Sequence, residues 1–221
     1  MYFIYIGWHW GLSLAYFIIR HEIRGEKKYG IRTIGIDNLS GILSDDDRKH
    51  VGLYEPVNYY TATRLFEYLE AADLKTTLLD VGCGKGRVLA MGAAYGFTDI
   101  IGIDFSRKLC SDAANAYKVI KNKYPNTSIT IECVDARYYC IPDTVGVIFL
   151  FNPFDVVFMD QLIKKVTESI GRKGRPLKIL YANPQCKQQW QDAGFIEIAS
   201  FVKLKYLHGS VLERCLGRGD K

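Results

Sequence analysis

Residues 78–89 read Leu-Leu-Asp-Val-Gly-Cys-Gly-Lys-Gly-Arg-Val-Leu, with glycines at the alternate positions Gly82, Gly84 and Gly86. Alternate glycines let a backbone come close to a ligand at the N-terminus of the helix that follows. The spacing excludes two common phosphate ligands. A nicotinamide dinucleotide wants another glycine three places after Gly84, and Arg87 stands there. A nucleotide triphosphate loop wants Ser or Thr after its lysine, and Gly86 follows Lys85. Asp80, just ahead of the glycines, would repel a pyrophosphate and attract an ammonium group. Two more acids follow. Asp104 ends the apolar run Ile100-Ile101-Gly102-Ile103 with Phe105 beside it, and Asp135-Ala136 follows Cys133-Val134. A carboxylate at Asp104 suits a pair of ribose hydroxyls, Phe105 gives a base an apolar face, and Asp135 suits an exocyclic amine. Ammonium, ribose and adenine together describe S-adenosylmethionine.

These residues need elements to hold them, and the pattern beyond residue 57 supplies them. Short apolar runs at 76–81, 99–103, 129–134, 145–151 and 177–182 alternate with helical spacing at 57–72, 87–95, 106–123, 155–170 and 184–193. Such alternation predicts an α/β fold, a doubly wound and mostly parallel sheet covered on both faces. Two extended runs, 195–206 and 210–216, are joined by Leu-His-Gly and predict a C-terminal antiparallel hairpin. The expected sheet therefore has seven strands. Each candidate ligand residue sits where a strand ends and a loop begins, which is where open α/β sheets bind.

Composition bounds the alternatives. The 221 residues are 48% hydrophobic and 24% charged, an ordinary globular balance that excludes a disordered or multi-span membrane chain. The six cysteines, at 83, 110, 133, 140, 186 and 215, form no Cys-x-x-Cys pair, and reduced thiols in a cytoplasmic protein are the expectation. The four histidines are scattered without metal-ligand spacing, so no metal is expected. The net charge of +5 lies wholly beyond residue 150, densest at Arg172, Lys173 and Arg175. That loop reads as a solvated turn, with a phosphate-meeting surface as the alternative.

The N-terminus stands apart. Residues 1–19 contain no Asp, Glu, Lys or Arg, yet Gly7, His9, Gly11 and Ser13 interrupt the run and Trp8 and Trp10 sit within it. An aromatic-rich helix lying on the domain or on a partner is the favoured reading, with membrane contact through 1–19 a second one. Residues 22–50 read as a polar, irregular connection. The expected division is an N-terminal helical extension at 1–50 and a catalytic domain at 51–221.

The glycine loop, Asp104 and Asp135, in that order at successive strand ends, resemble the class I, seven-stranded S-adenosylmethionine-dependent methyltransferases over residues 50–216. The resemblance implies that Gly82, Gly84 and Gly86 border the methionine part of the cofactor and that Asp80 is linked to its amino group. It implies also that Asp104 meets the ribose and Asp135 the adenine, with Phe105 and Ala136 beside them as further cofactor-binding candidates. The fourth strand ends in Phe151-Asn152-Pro153-Phe154-Asp155, similar to the Asn-Pro-Pro-aromatic motif of amino-methylating members. There the Asn oxygen and a backbone carbonyl aim a nitrogen lone pair at the methyl group, so catalysis is mostly positioning. Asn152, Pro153 and Phe154 are therefore the candidate catalytic residues. Phe in place of the second Pro, and Asp155 in place of an aromatic, weaken the case for a nucleic-acid base. A protein lysine or other amine comes first as acceptor and a base second, with a non-catalytic cofactor-binding subunit as a third reading. Together with His50, Tyr54-Glu55-Pro56 and Tyr181-Ala182-Asn183-Pro184, these motifs resemble a small bacterial type of this family. Tyr54 and Asn183 are candidates for the substrate cleft, with helix capping the favoured role for Asn183.

Overall fold

The computed structural model describes residues 12–35, 54–151 and 156–215. Seven strands form one sheet: β1 Thr77–Val81, β2 Asp99–Asp104, β3 Ser128–Cys133, β4 Val145–Phe151, β5 Leu177–Ala182, β6 Ile196–Lys203 and β7 Leu207–Arg214. Their order is β3-β2-β1-β4-β5-β7-β6, parallel except where β7 pairs with β5 and with β6. The central strands β1, β4 and β5 are buried almost throughout, as their unbroken apolar runs require of a sheet covered on both sides. β1 lies between β2 and β4, so the chain order reverses there and opens a crevice at the strand ends.

Helices cover both faces. On one side lie α2 Tyr59–Phe66, α3 Arg87–Tyr95 and α4 Arg107–Lys123, which bury Leu65, Phe66, Leu89 and Met91 against Phe149 and Val211. On the other lie α5 Val156–Arg172 and α6 Lys187–Asp192, which bury Met159, Leu162 and Trp190 against Leu79 and Ile148. Each cluster buries enough apolar surface, at about 25 cal/mol per Å² removed from water, to fix its helices to the sheet.

Two elements differ from the sequence reading. The N-terminal helix α1 spans Leu12–Tyr29 and crosses the expected boundary at residue 22. Its buried positions are Leu14, Ala15, Ile18, Glu22, Gly25 and Tyr29, and the last turns pack through a glycine and an acid rather than through aliphatics. A Cβ at Gly25 would lie 2.2 Å from the Tyr59 ring, so the helix approaches α2 as closely as only glycine allows. In the hairpin, the turn is Leu204-Lys205-Tyr206 and not Leu207-His208-Gly209. Leu207 is drawn into β7 because it joins Leu14, Ala15 and Ile18 of α1 in a buried cluster. Gly209 is a strand residue that makes room for the Phe201 ring. No helix among the described residues is long and apolar enough to cross a membrane.

Candidate active site

The glycine loop leaves β1 at Val81 and enters α3 at Arg87. Gly82, Gly84 and Gly86 all have positive φ, at 78°, 53° and 84°, a region that other residues rarely adopt. The amides of Gly82 and Cys83 both donate to the Ile103 carbonyl at 2.9 Å, which folds the loop toward the end of β2. Asp104 waits there. Its Oδ2 accepts from the Gly84 amide at 3.0 Å and its Oδ1 from the Ser106 amide at 2.9 Å. Ser106 in turn caps α4, so the carboxylate is fixed by the loop on one side and a helix start on the other. Each oxygen keeps a lone pair, which is what two ribose hydroxyls would need.

Asp80 is buried, and no hydrogen-bond or cationic partner is found for it among the described residues. Burial, and after it the charge of Asp104, push its carboxyl well above the usual range. Burial raises Asp104 as well, against the pull of the Ser106 and Gly84 amides. Two carboxyls and no cation form an anionic hollow beside a glycine turn. That is the complement of an ammonium group and a ribose, so the residues fit S-adenosylmethionine on their own geometry.

Asp135 completes the row of acids. Its Oδ1 accepts from the Arg137 amide at 2.8 Å, and its Oδ2 from Arg137 Nε at the same distance. The Arg137 guanidinium lies over the rings of Tyr138 and Phe158, at 5.7 and 5.8 Å from their centroids. Arg137 thus locks the orientation of Asp135 while leaving acceptor capacity for an amine. Ala136 is buried next to it and Phe105 is half-buried at the end of β2. Sequence reasoning passed over Arg137, although an Asp followed two places on by Arg is a spacing that closes such a fork.

Tyr54 covers the loop from the N-terminal side. Its hydroxyl donates to the Thr33 carbonyl at 3.1 Å, and a Cβ at Gly84 would lie 2.3 Å from its ring. The aromatic face therefore rests on the middle glycine, and Lys85 Nζ lies 5.1 Å from the ring centroid. Behind the loop, Arg87 is almost fully buried. Its Nε donates to Thr33 Oγ1 at 2.7 Å, and one terminal nitrogen donates to the Val57 carbonyl and meets Glu22 at 2.8 Å. Its guanidinium carbon lies 4.0 Å from the Tyr59 ring centroid, and Glu26 stands 3.7 Å away. Glu22 also accepts from the Tyr59 amide, and burial, only partly offset by Arg87, raises its carboxyl. In the sequence Arg87 served only to exclude a dinucleotide; the two acids four apart on α1 were the available signal for its partners.

At the next strand pair, Phe151 of β4 is in register with Ala182 of β5. Asn183 leaves β5 there with φ 51°, donating its amide to the His208 carbonyl and accepting from Gln185 N. It does not cap α6, which starts at Lys187 after Cys186. Asn152, Pro153 and Phe154 lie outside the described residues. The basic loop beyond α5 is exposed at Arg172, Lys173 and Gly174, as a solvated turn would be, but two of its arginines reach back to the domain: Arg175 donates to the Val145, Ser169 and Pro142 carbonyls, and Arg172 to Ile141 O and Asp143. Those guanidiniums brace the far ends of β4 and α5. Among the described residues no group of three or more His, Cys, Asp or Glu is arranged to hold a metal ion.

Residues 78–176 match the sequence profile of a methyltransferase domain family. No curated protein sequence matches the chain. Among solved structures, a Pyrococcus horikoshii protein described as a candidate RNA methyltransferase superposes with a TM-score of 0.60 at 10% identity, over 92% of this chain and 98% of that one. The ribosomal protein L11 methylase of Lactobacillus delbrueckii subsp. bulgaricus gives 0.55 at 14% identity, over 75% and 81%. The magnesium protoporphyrin IX methyltransferase of Synechocystis, with bound S-adenosylmethionine, gives 0.50 at 18% identity, over 70% and 77%. At such identities the likeness is one of fold.

Proposed function

We propose that this chain is an S-adenosylmethionine-dependent methyltransferase of class I, a reading supported by the methyltransferase-domain match over residues 78–176, and that it methylates a nitrogen, on a protein lysine or another amine. One observation carries the reading. The glycine loop follows Val81 and the Asn-Pro-Phe sequence follows Phe151, on neighbouring strands paired Val81 with Leu150. A motif that orients amines thus begins one strand away from the loop that borders the methionine part of the cofactor. When bound, the cofactor supplies an electrophilic methyl group on a sulfonium.

The chain's own residues then have separable tasks. Asp80 and Asp104 give the hollow its negative charge, and Asp135, steered by Arg137, faces the adenine end. Asn152 and a neighbouring carbonyl accept hydrogen bonds from the acceptor nitrogen, so that its lone pair is aimed without a strong base. Phe154 walls the slot beside the amine's alkyl stem, and Asn183 borders the slot from the neighbouring strand tip. A lysine acceptor must first lose its proton, so turnover rises with pH. Tyr54 covers the glycine loop, a role that its contact with Gly84 supports. The motifs favour the small bacterial type, and the reading includes a cytoplasmic location, which six unbridged cysteines support.

The test is transfer of a tritiated methyl group to cell extract, with protease and nuclease applied separately. Label released by protease, and lowered about 100-fold by Asn152→Ala, is the expected result. Label released by nuclease alone would replace the amine with a base. Cofactor binding without transfer to any extract fraction would reduce the chain to a binding subunit.

A further inference from the structure

The helix α1 separates its charges by side. Its two acids, Glu22 and Glu26, turn inward to Arg87. Its outward arc carries Leu12, Tyr16 and Ile23, exposed at 82%, 66% and 63%, next to exposed Arg20, Arg24 and Lys27. At 100° per residue, Leu12, Ile23 and Tyr16 fall within one narrow stripe, with Lys27, Arg20 and Arg24 in the adjoining one. No acid falls in either stripe.

A second element lies beside the helix, against its buried side. The hairpin turn sits against the N-terminal half of α1, because Leu207 packs on Leu14, Ala15 and Ile18, and Lys203 Nζ lies 5.9 Å from the Phe17 ring centroid. That turn adds exposed Leu204, Lys205 and Tyr206 beside Lys203, again without an acid. The eleven residues leading into α1 contain two tryptophans and no charged side chain.

We propose that the outer face of α1, with the tip of the hairpin, docks on an anionic lipid surface. Apolar side chains enter the headgroup boundary while the adjoining cations meet lipid phosphates, the arrangement of interfacial helices that lie on a membrane without spanning it. An acidic protein would satisfy the cations but leave the aliphatic and tyrosine stripe facing charged groups, whereas a lipid surface satisfies both stripes at once.

Flotation of the full chain with phosphatidylcholine vesicles, with and without 30% phosphatidylglycerol as a probe, tests this. Binding to the anionic vesicles, weakened by 0.5 M NaCl, is expected. Reversing the three cations (Arg20→Glu, Arg24→Glu, Lys27→Glu) should lower partitioning on the order of 100-fold. Leu12→Ser with Ile23→Ser should lower it while the salt dependence remains. Heat of S-adenosylmethionine binding, unchanged in both variants, shows that they fold. Failure of the full chain to float at low salt overturns the proposal. So does equal flotation with neutral vesicles, or retention on immobilised polyglutamate without flotation.

Discussion

Two buried charge clusters lie within seven residues of each other on opposite sides of the glycine loop. Asp80 is buried beside a second carboxyl and has no cationic partner among the described residues, whereas Arg87 is buried among two carboxylates, a carbonyl, a hydroxyl and a tyrosine ring. The second cluster answers its charge within the chain, although Arg87 Nη2 makes no hydrogen bond and only faces Glu26 at 3.7 Å, and it therefore holds the fold together. The first is answered by no described residue, the pattern that the proposed positively charged ligand would complete. Burial alone does not separate structure from function; what separates them is whether the charge is answered from within.

Mutations can sharpen or break that contrast, and the largest effect is expected at Arg87. Removing it leaves Glu22 buried and unanswered, and Arg87→Ala should cost about 3–5 kcal/mol in a urea melt. Affinity for the cofactor in whatever fraction folds should change little. At Asp104, Ala removes acceptors for two hydroxyls, and calorimetry should show S-adenosylmethionine binding weakened by roughly 10–100-fold. A loss of stability comparable to that of Arg87→Ala would dissolve the distinction between the clusters.

Asp80→Asn should act with opposite signs on two readouts. Affinity for S-adenosylmethionine falls by about tenfold, while the cofactor-free protein melts some 3 °C higher, because an uncompensated charge has gone. The pH dependence follows from the same raised carboxyls. A folded-state pKa above the unfolded one gives stability that is full below the unfolded value and is lost as pH rises through the folded one. The cofactor-free protein should therefore lose stability as pH climbs from 4, and cofactor affinity should gain over the same interval as the carboxylates ionise. Parallel trends would contradict the assignment. The smallest effect belongs to Asn183, where glycine keeps the left-handed turn: Asn183→Gly should melt within about 2 °C of the parent while lowering turnover at saturating cofactor.

Much of this was legible in the residues. Strand runs are apolar because the sheet is covered on both faces, so β1, β2, β4 and β5 stand out, and the acids at their ends could be placed by counting. Helix α1 was less visible because its inner face closes on Glu22 and Gly25, whose burial depends on Arg87 more than fifty residues away. The hairpin turn was misjudged for a similar reason, since Leu207 is apolar on account of α1 and not of its own strand neighbours. Arg137 was missed because its partner had already been spoken for by adenine in the reading, and the fork is a two-residue contact that no periodicity announces. Asn183 was correctly located at a strand tip, but the favoured reading of it as a helix cap fails because α6 starts four residues later.

The Arg87 cluster sets a limit on how this protein can be cut or recombined. Thr33 joins Arg87, Glu26 and Tyr54 through its hydroxyl, amide and carbonyl, so α1 and the stretch after it are stitched to the glycine loop. A shortened version beginning after residue 35 would strand a guanidinium in the interior with half its contacts gone. Grafting this sheet onto another leader, or trimming it to its seven strands, thus requires Arg87 to be replaced at the same time by a neutral side chain of similar bulk.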